Sequence, residues 1–203
     1  MGWWGGGLFQ SETQFDLISD ASHEAGLSDL EKVVLSQQRA QKAADSGQPA
    51  DIPHDDADLT TSGKDAKPSS DNDDDCWQVC RDNGIYFSIW SAECSDIPFV
   101  REYLNNGALF ELVQKTAAKV QDDWSVYNTG YELVLIGACA MTLGCKLPTF
   151  LRNFMHKNYH SVGFRNAAIE QLRKALSDGP DGYKEGEPYE FKEPEHDSDC
   201  DCG

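Results

Sequence analysis

Residues 129–148 read TGYELVLIGACAMTLGCKLP, and this stretch decides the fold. Between Tyr131 and Cys145 apolar residues recur nearly all the way round a helical projection, which is the pattern of a helix buried on every side. Thr129 with Glu132 three residues later fits a capping box. Lys146 complements the negative end of the helix dipole, and Pro148 closes the segment. Small Gly137, Ala138 and Ala140 leave room for neighbouring helices to approach closely. The uncharged core of the stretch, Leu133 to Leu143, is far shorter than the ~20 residues needed to span a bilayer. A central helix needs partners, and the flanking sequence supplies them.

Downstream, helical patterns cover Thr149–Asn158 and Phe164–Leu176, and Gly179-Pro180 ends the second. Tyr183, Tyr189 and Phe191 then stand among charges, in a segment suited to lie extended along the core. Upstream, Asp96-Ile97-Pro98 starts a helix whose apolar stripe is Phe99, Val100, Tyr103 and Leu104. Asn105-Asn106-Gly107 breaks it. A further helix runs from Ala108 to Val120 with Leu109, Phe110, Leu112, Val113 and Ala117 inward. Before these, CWQVCRDNGIYFSIWS predicts a strand over Ile85–Trp90, paired as a hairpin with Cys76–Arg81 across Asp82-Asn83-Gly84.

At the N-terminus, Ser11 and Gln14 form a capping box, Phe15, Leu17, Ile18, Ala21 and Ala25 recur at helical spacing, and Gly26 supplies a left-handed stop. Ser28 and Glu31 repeat the box ahead of Leu30, Val33, Val34 and Leu35, in a helix that fades through QQRAQKAA. Gly5, Gly6 and Gly7 let the backbone turn sharply, so that Trp3, Trp4, Leu8 and Phe9 reach back onto the core.

The charge is uneven. Of a net −18 over 203 residues, −8 lies between Asp45 and Asp75 and −8 between Asp178 and Gly203, which leaves the rest nearly neutral. Self-repelling polar segments cannot bury enough apolar area to offset their ordering entropy. The expected fold is therefore mainly α (α+β), a compact helical domain with a small β element and a disordered acidic insertion and tail. Residues 1–44 carry the Trp/Gly segment and two core helices, 45–75 the insertion, 76–191 the remaining core, and 192–203 the Cys-containing tail.

Such acidity argues against nucleic acid and anionic membranes as partners. No Lys or Arg precedes Lys32, so the basic start of a secretory or transit peptide is missing, and Gly6 stands where myristoylation needs Ser or Thr. Seven irregularly spaced Cys suit free thiols in a reducing compartment, cytosol or nucleus.

Motifs for chemistry are thin. Gly5–Gly7 before a helix suggests a phosphate loop, but no Gly-Lys-Ser/Thr follows, and Glu12 and Asp16 would repel phosphate. Asp71, Asp73 and Asp75 match the opening of an EF-hand loop, yet Cys76 stands where glycine must turn the chain. Cys76-x3-Cys80 with Cys94, and His196 with Cys200 and Cys202, lack the paired spacing of a zinc site, so neither a metal nor a cofactor is expected. Cys139 and Cys145 read as small hydrophobes. The candidates for catalysis are His156 and His160, one helical turn apart, with Cys94 and Glu132; capping accounts for Glu132. The candidates for binding are Trp3, Trp4, Gly5 and Gly7.

MGWWGGGLFQSETQFDLISDASHEAGL, REYLNNGALFELV, YELVLIGACAMTLGCKLP and RNAAIEQLRKAL…GYKEGEPYEF together resemble a family of uncharacterised fungal proteins. The N-terminal Trp-Gly-x-Gly-x-Phe pattern is also similar to a bacterial domain of unknown function, numbered 4259, although Gln10-Ser11-Glu12 stand where that family has Asn-Asp. The resemblance implies no activity, cofactor or catalytic residue. It does imply that the N-terminal Trp/Gly segment belongs to the folded domain.

The expected function is accordingly a non-enzymatic protein-interaction domain whose acidic segments serve as spacers, solubilisers or contacts for basic partners. The alternatives are a hydrolase or metal-dependent enzyme whose site assembles from distant residues, and an immunity-like protein acting by acidic charge mimicry.

Overall fold

The structure, a computed structural model, describes residues 7–46, 83–119 and 126–192. Its contacts divide the chain into two compact units, Met1–Leu27 with Phe87–Gly203, and Ser28–Tyr86. The larger unit is helical. It contains α1 (Glu12–Glu24), α3 (Ile97–Tyr103), α4 (Leu109–Ala118), α5 (Val126–Leu143), α6 (Thr149–Asn158) and α7 (Asn166–Ala175). The helix α2 (Leu27–Ser46) belongs, from Ser28 onward, to the smaller unit.

The central helix is α5, as its all-round apolarity demands. From Leu133 to Cys145 every residue is buried, and α1, α3, α4 and α6 all pack on it. Each fully buried leucine or isoleucine contributes about 1.5–3 kcal/mol of transfer free energy, so this helix carries much of the apolar driving force. Its start differs from expectation. The helix begins at Val126, so Thr129 is a buried residue inside it and Glu132 is not a capping residue. It ends in a Schellman motif. Gly144, at φ +77°, donates its N–H to Met141 O at 3.0 Å, and the Cys145 N–H reaches Ala140 O at 2.9 Å.

The caps of α1 and α3 follow the sequence. Ser11 Oγ accepts from Gln14 N at 3.3 Å, Gly26 stops α1 at φ +78°, and Asp96 Oδ1 accepts from Phe99 N at 3.1 Å. Gln14 itself reaches past the cap. Its Oε1 accepts from Gln10 N and its Nε2 donates to Tyr131 Oη on α5 at 2.8 Å. Ser28 is not a cap, because α2 already includes Leu27, and the helix persists through the Gln/Ala run to Ser46. Between α3 and α4 the Asn105-Asn106-Gly107 break is a π-helical turn, Leu104–Ala108, with Gly107 at φ +124°. Asn105 Oδ1 uses it to accept the Lys146 N–H at 2.7 Å.

Two corrections concern apolar residues. Phe99 and Phe110 are 38% and 45% exposed, because the buried stripes run through Val100 and Leu104, and through Leu109, Leu112, Val113 and Thr116. Each Phe stands one helical step, about 100°, off its stripe. The expected β element is not shown: among the described residues Ile85–Trp90 forms no strand. A helix hydroxyl takes one N–H that a ladder would have used, Ile89 N donating to Ser22 Oγ at 3.1 Å, and just past the segment Ser91 N donates to Thr142 Oγ1 at 3.1 Å. The expected partner Cys76–Arg81 lies outside the described residues, as do the insertion beyond Ser46 and the tail beyond Lys192. No described helix is long and apolar enough to cross a membrane.

Candidate functional site

Leu8 is buried and Phe9 half-buried, so the chain after the glycines does fold back onto the domain. Phe9 holds a left-handed φ of +61°, a conformation that costs a non-glycine residue about 1–2 kcal/mol. What holds it there is aromatic. Its ring stacks on Trp90 at 5.1 Å and meets the edge of Phe191 at 5.7 Å, while Trp90 also packs on Phe15 at 5.6 Å. Beyond Phe191 the row continues to Tyr189 at 4.9 Å and to Tyr183 at 6.3 Å. Offset and edge-on pairs of this kind each add about 0.5–1.5 kcal/mol beyond their buried area.

The row joins the two ends of the described chain, and Gln171 on α7 ties them. Its Oε1 accepts from Leu8 N and its Nε2 donates to Lys192 O, each at 2.8 Å. The buried Gly7 lies against the same amide, for a Cβ there would stand 3.1 Å from Gln171 Oε1. Gly7, a binding candidate from the sequence, is therefore a packing position. Trp3, Trp4 and Gly5 lie outside the described residues. The C-terminal strap, Gly186–Lys192, crosses the end of α5 as its aromatic content suggested, with Tyr189 N donating to Met141 O at 2.9 Å and Gly186 N to Gly144 O at 3.0 Å. Tyr183 Oη donates to Cys145 O just ahead of it. A cleft of about 540 Å³ opens on the α7 side of the strap and one of about 380 Å³ on the Phe9 side.

The catalytic candidates are dispersed. His156 is exposed on α6, and His160 is exposed in the turn after it, edge-on to Tyr159 at 5.4 Å. Cys94 is half-buried after the 3-10 turn Ser91–Glu93. Glu132 has a different role from the cap assigned to it. Lys119, at the end of α4, reaches Glu24 Oε1 of α1 at 2.7 Å and Glu132 Oε1 of α5 at 3.5 Å, tying three helices. Burial raises the Glu132 carboxyl above its usual range, against the opposing pull of Lys119. The Lys119 ammonium is raised, chiefly by its hydrogen bond to Glu24. Nothing in the sequence points to this triad, because its members are contributed by three separate segments.

Burial also pushes the Cys145 thiol up to about 12 and the Cys139 thiol upward, so both stay protonated as packing residues. Among the described residues no group of three His, Cys, Asp or Glu side chains is placed to hold a metal ion. His196, Cys200 and Cys202 lie outside them.

On the surface, Phe110 of α4 and Phe150 of α6 meet edge to face at 6.0 Å while 45% and 41% exposed. Neither was marked by the sequence as a surface feature, since Phe110 reads there as core. No family model matches the chain, and no curated protein or solved structure matches it either.

Proposed function

We propose that the chain is a non-enzymatic protein-interaction domain, with its acidic segments as spacers or as contacts for basic partners. The observation that carries the reading is the exposed Phe110–Phe150 pair, two large rings that meet edge to face, from two helices that both pack on α5. Interfaces centre on such aromatic anchors, surrounded by contacts that matter less individually. Membership of the fungal family belongs to the same proposal.

Quantitative affinity capture tests it. The wild-type chain is compared with Phe110→Ala/Phe150→Ala and with a chain lacking residues 47–75 and 193–203. Loss of a common partner set in the aromatic variant supports the reading, and loss of basic partners in the shortened chain supports the acidic contact. An unchanged partner set in both removes it. One observation favours the enzymatic alternative, the half-buried Glu132 carboxyl beside Lys119, a combination able to exchange a proton. Hydrolysis of ester or peptide substrates by the wild type that disappears in Glu132→Gln would replace the first reading with this one.

A further inference from the structure

We infer that the exposed basic face made by α7, the corner at residues 159–165 and the end of α6 seats, in cis, the acidic run at residues 193–201 of this same chain. The inference goes beyond the proposed function: a basic partner of that run must first displace it from a surface the chain itself provides.

Charge is the first support. Residues 149–177 hold five Lys or Arg and one acid, Glu170, a net of +4 in a chain of net −18. His156, Lys157, His160, Arg165, Arg173 and Lys174 are all exposed, on or between two consecutive helices. Arg173 takes up Glu170 at 2.7 Å, and Arg152 pairs with Glu185 at 3.3 Å. Lys157 and Lys174 have no ion-pair partner among the described residues. Cations gathered on one face repel one another, and an anionic neighbour relieves them.

Direction and register are the second. The chain runs back along α7 toward its start: Tyr183 N donates to Ala175 O at 2.8 Å, and further on Gln171 Nε2 donates to Lys192 O at 2.8 Å. From Pro188 to Lys192 exposure alternates, with Tyr189 and Phe191 half-buried and the three residues around them exposed, as an extended chain requires. Glu193, Glu195, Asp197, Asp199 and Asp201 then occupy every second place. Carried on in that register, all five fall on the side of the chain by which Tyr189 and Phe191 meet the domain. Pro194 favours the continuation, because the residue before a proline avoids the helical region. The inward positions thus change from aromatic to acidic where the surface beneath changes from the aromatic row to α7. Gln171 stands about 8 Å from the start of α7, while nine extended residues reach about 30 Å, so the run extends past that start onto the corner and the end of α6.

Exposed ion pairs are individually weak and screened by salt. A separate acidic peptide gains little from such a face. A run continuous with Lys192, which Gln171 anchors on α7, meets the face intramolecularly, and the same pairs then suffice. This selects the chain's own residues over a free peptide or a second copy.

Amide chemical shifts in the full-length chain test the inference. The wild type is compared with a neutralised variant, Glu193→Gln, Glu195→Gln, Asp197→Asn, Asp199→Asn and Asp201→Asn together. A second variant, of unchanged charge, has each of these acids exchanged with the residue that follows it. Neutralisation is expected to shift the amides of Lys157, His160, Arg165, Arg173 and Lys174 and to leave those of α1 and α3 in place. The exchanged variant is expected to show the greater part of the same shifts, because its acids face away. In 1 M NaCl, where the Debye length is about 3 Å, the three chains are expected to converge at these positions. Unmoved amides at these five residues on neutralisation, or wild-type shifts in the exchanged variant, overturn the inference. So do differences that survive in 1 M NaCl or that centre on another part of the molecule. Differences that fade on dilution give the face to a second copy and overturn the cis assignment. Should a variant not fold, salt titration of the wild type decides: these five amides are expected to move ahead of the rest, and uniform movement overturns the inference. None of these outcomes touches Phe110 or Phe150, so failure here is distinct from failure of the proposed function.

Discussion

The sulfur of Met155 on α6 occupies the space that a Cβ on Gly137 of α5 would need. Both residues are buried, with Met155 fully so. The glycine is thus the point at which the two helices approach, and its helical cost of about 1 kcal/mol is offset by the packing it permits. Gly137→Ala gains that propensity but drives the new methyl into Met155. Overpacking of this kind costs typically about 1–3 kcal/mol, so the variant is expected to lose stability in urea titrations despite its better helix propensity. In a Met155→Ala background the penalty should shrink or reverse, since the two side chains share one space. Additive effects would show that the contact is not what limits position 137.

Gln171 predicts an asymmetric response. Gln171→Glu keeps an oxygen to accept the Leu8 N–H but sets a second oxygen against Lys192 O, where an amide N–H now donates. The expected result is a loss of about 1–3 kcal/mol, with faster amide exchange along the strap and preserved protection at Leu8. Gln171→Leu removes both bonds and should release both ends. If the glutamate loosens the two ends equally, the bridge is not made by the two halves of one amide.

Thr116 is fully buried on α4, and its hydroxyl has no hydrogen-bond partner among the described residues. A buried unsatisfied polar group costs about 1–3 kcal/mol, and valine has nearly the same shape. Thr116→Val is expected to raise stability by roughly 1 kcal/mol, read as a higher urea midpoint at unchanged slope. A destabilised variant would mean that the hydroxyl is in fact satisfied.

The sequence makes the helices legible where local chemistry is decisive. Ser11 and Asp96 mark α1 and α3 because a cap is a contact between neighbours in the chain, and the all-round apolarity of α5 can only mean burial. The Thr129–Glu132 pair misleads for the same reason: the spacing fits a cap, but the fourth residue of a helix can carry Thr as well as its entrance can. Ile85–Trp90 has a strand's composition but forms no strand among the described residues, and its Ile89 N–H meets the hydroxyl of Ser22, on a helix distant in sequence. The triad of Glu24, Lys119 and Glu132 and the Gln171 bridge join residues far apart in the chain, and pattern alone contains no such distances. One local signal was available for Gln171: a glutamine interrupts the buried stripe of Ala168, Leu172 and Ala175 on α7.

Glu132 gives the pH prediction, and its sign follows from burial. Its carboxyl titrates above the usual carboxylate range in the folded chain, chiefly because burial disfavours the charged form. The folded state therefore binds this proton more readily than the unfolded state. The desolvation cost is fully present above the raised folded value, diminishes as pH falls through it, and is gone below the unfolded value. Glu132→Gln cannot ionise and lacks this pH dependence. Wild-type stability minus that of Glu132→Gln is thus expected to rise as pH is lowered from 7 toward 4.5 and then level off, measured by urea unfolding of both proteins in parallel. Lys119 moves the other way. Raised above 10.5, its contribution is complete below that value and is lost as pH climbs through the folded one, so the destabilisation by Lys119→Met should fade in strong alkali. A difference curve for Glu132 that falls on acidification would mean that the pull of Lys119 outweighs burial, and that the triad acts as an ion pair first and a buried acid second.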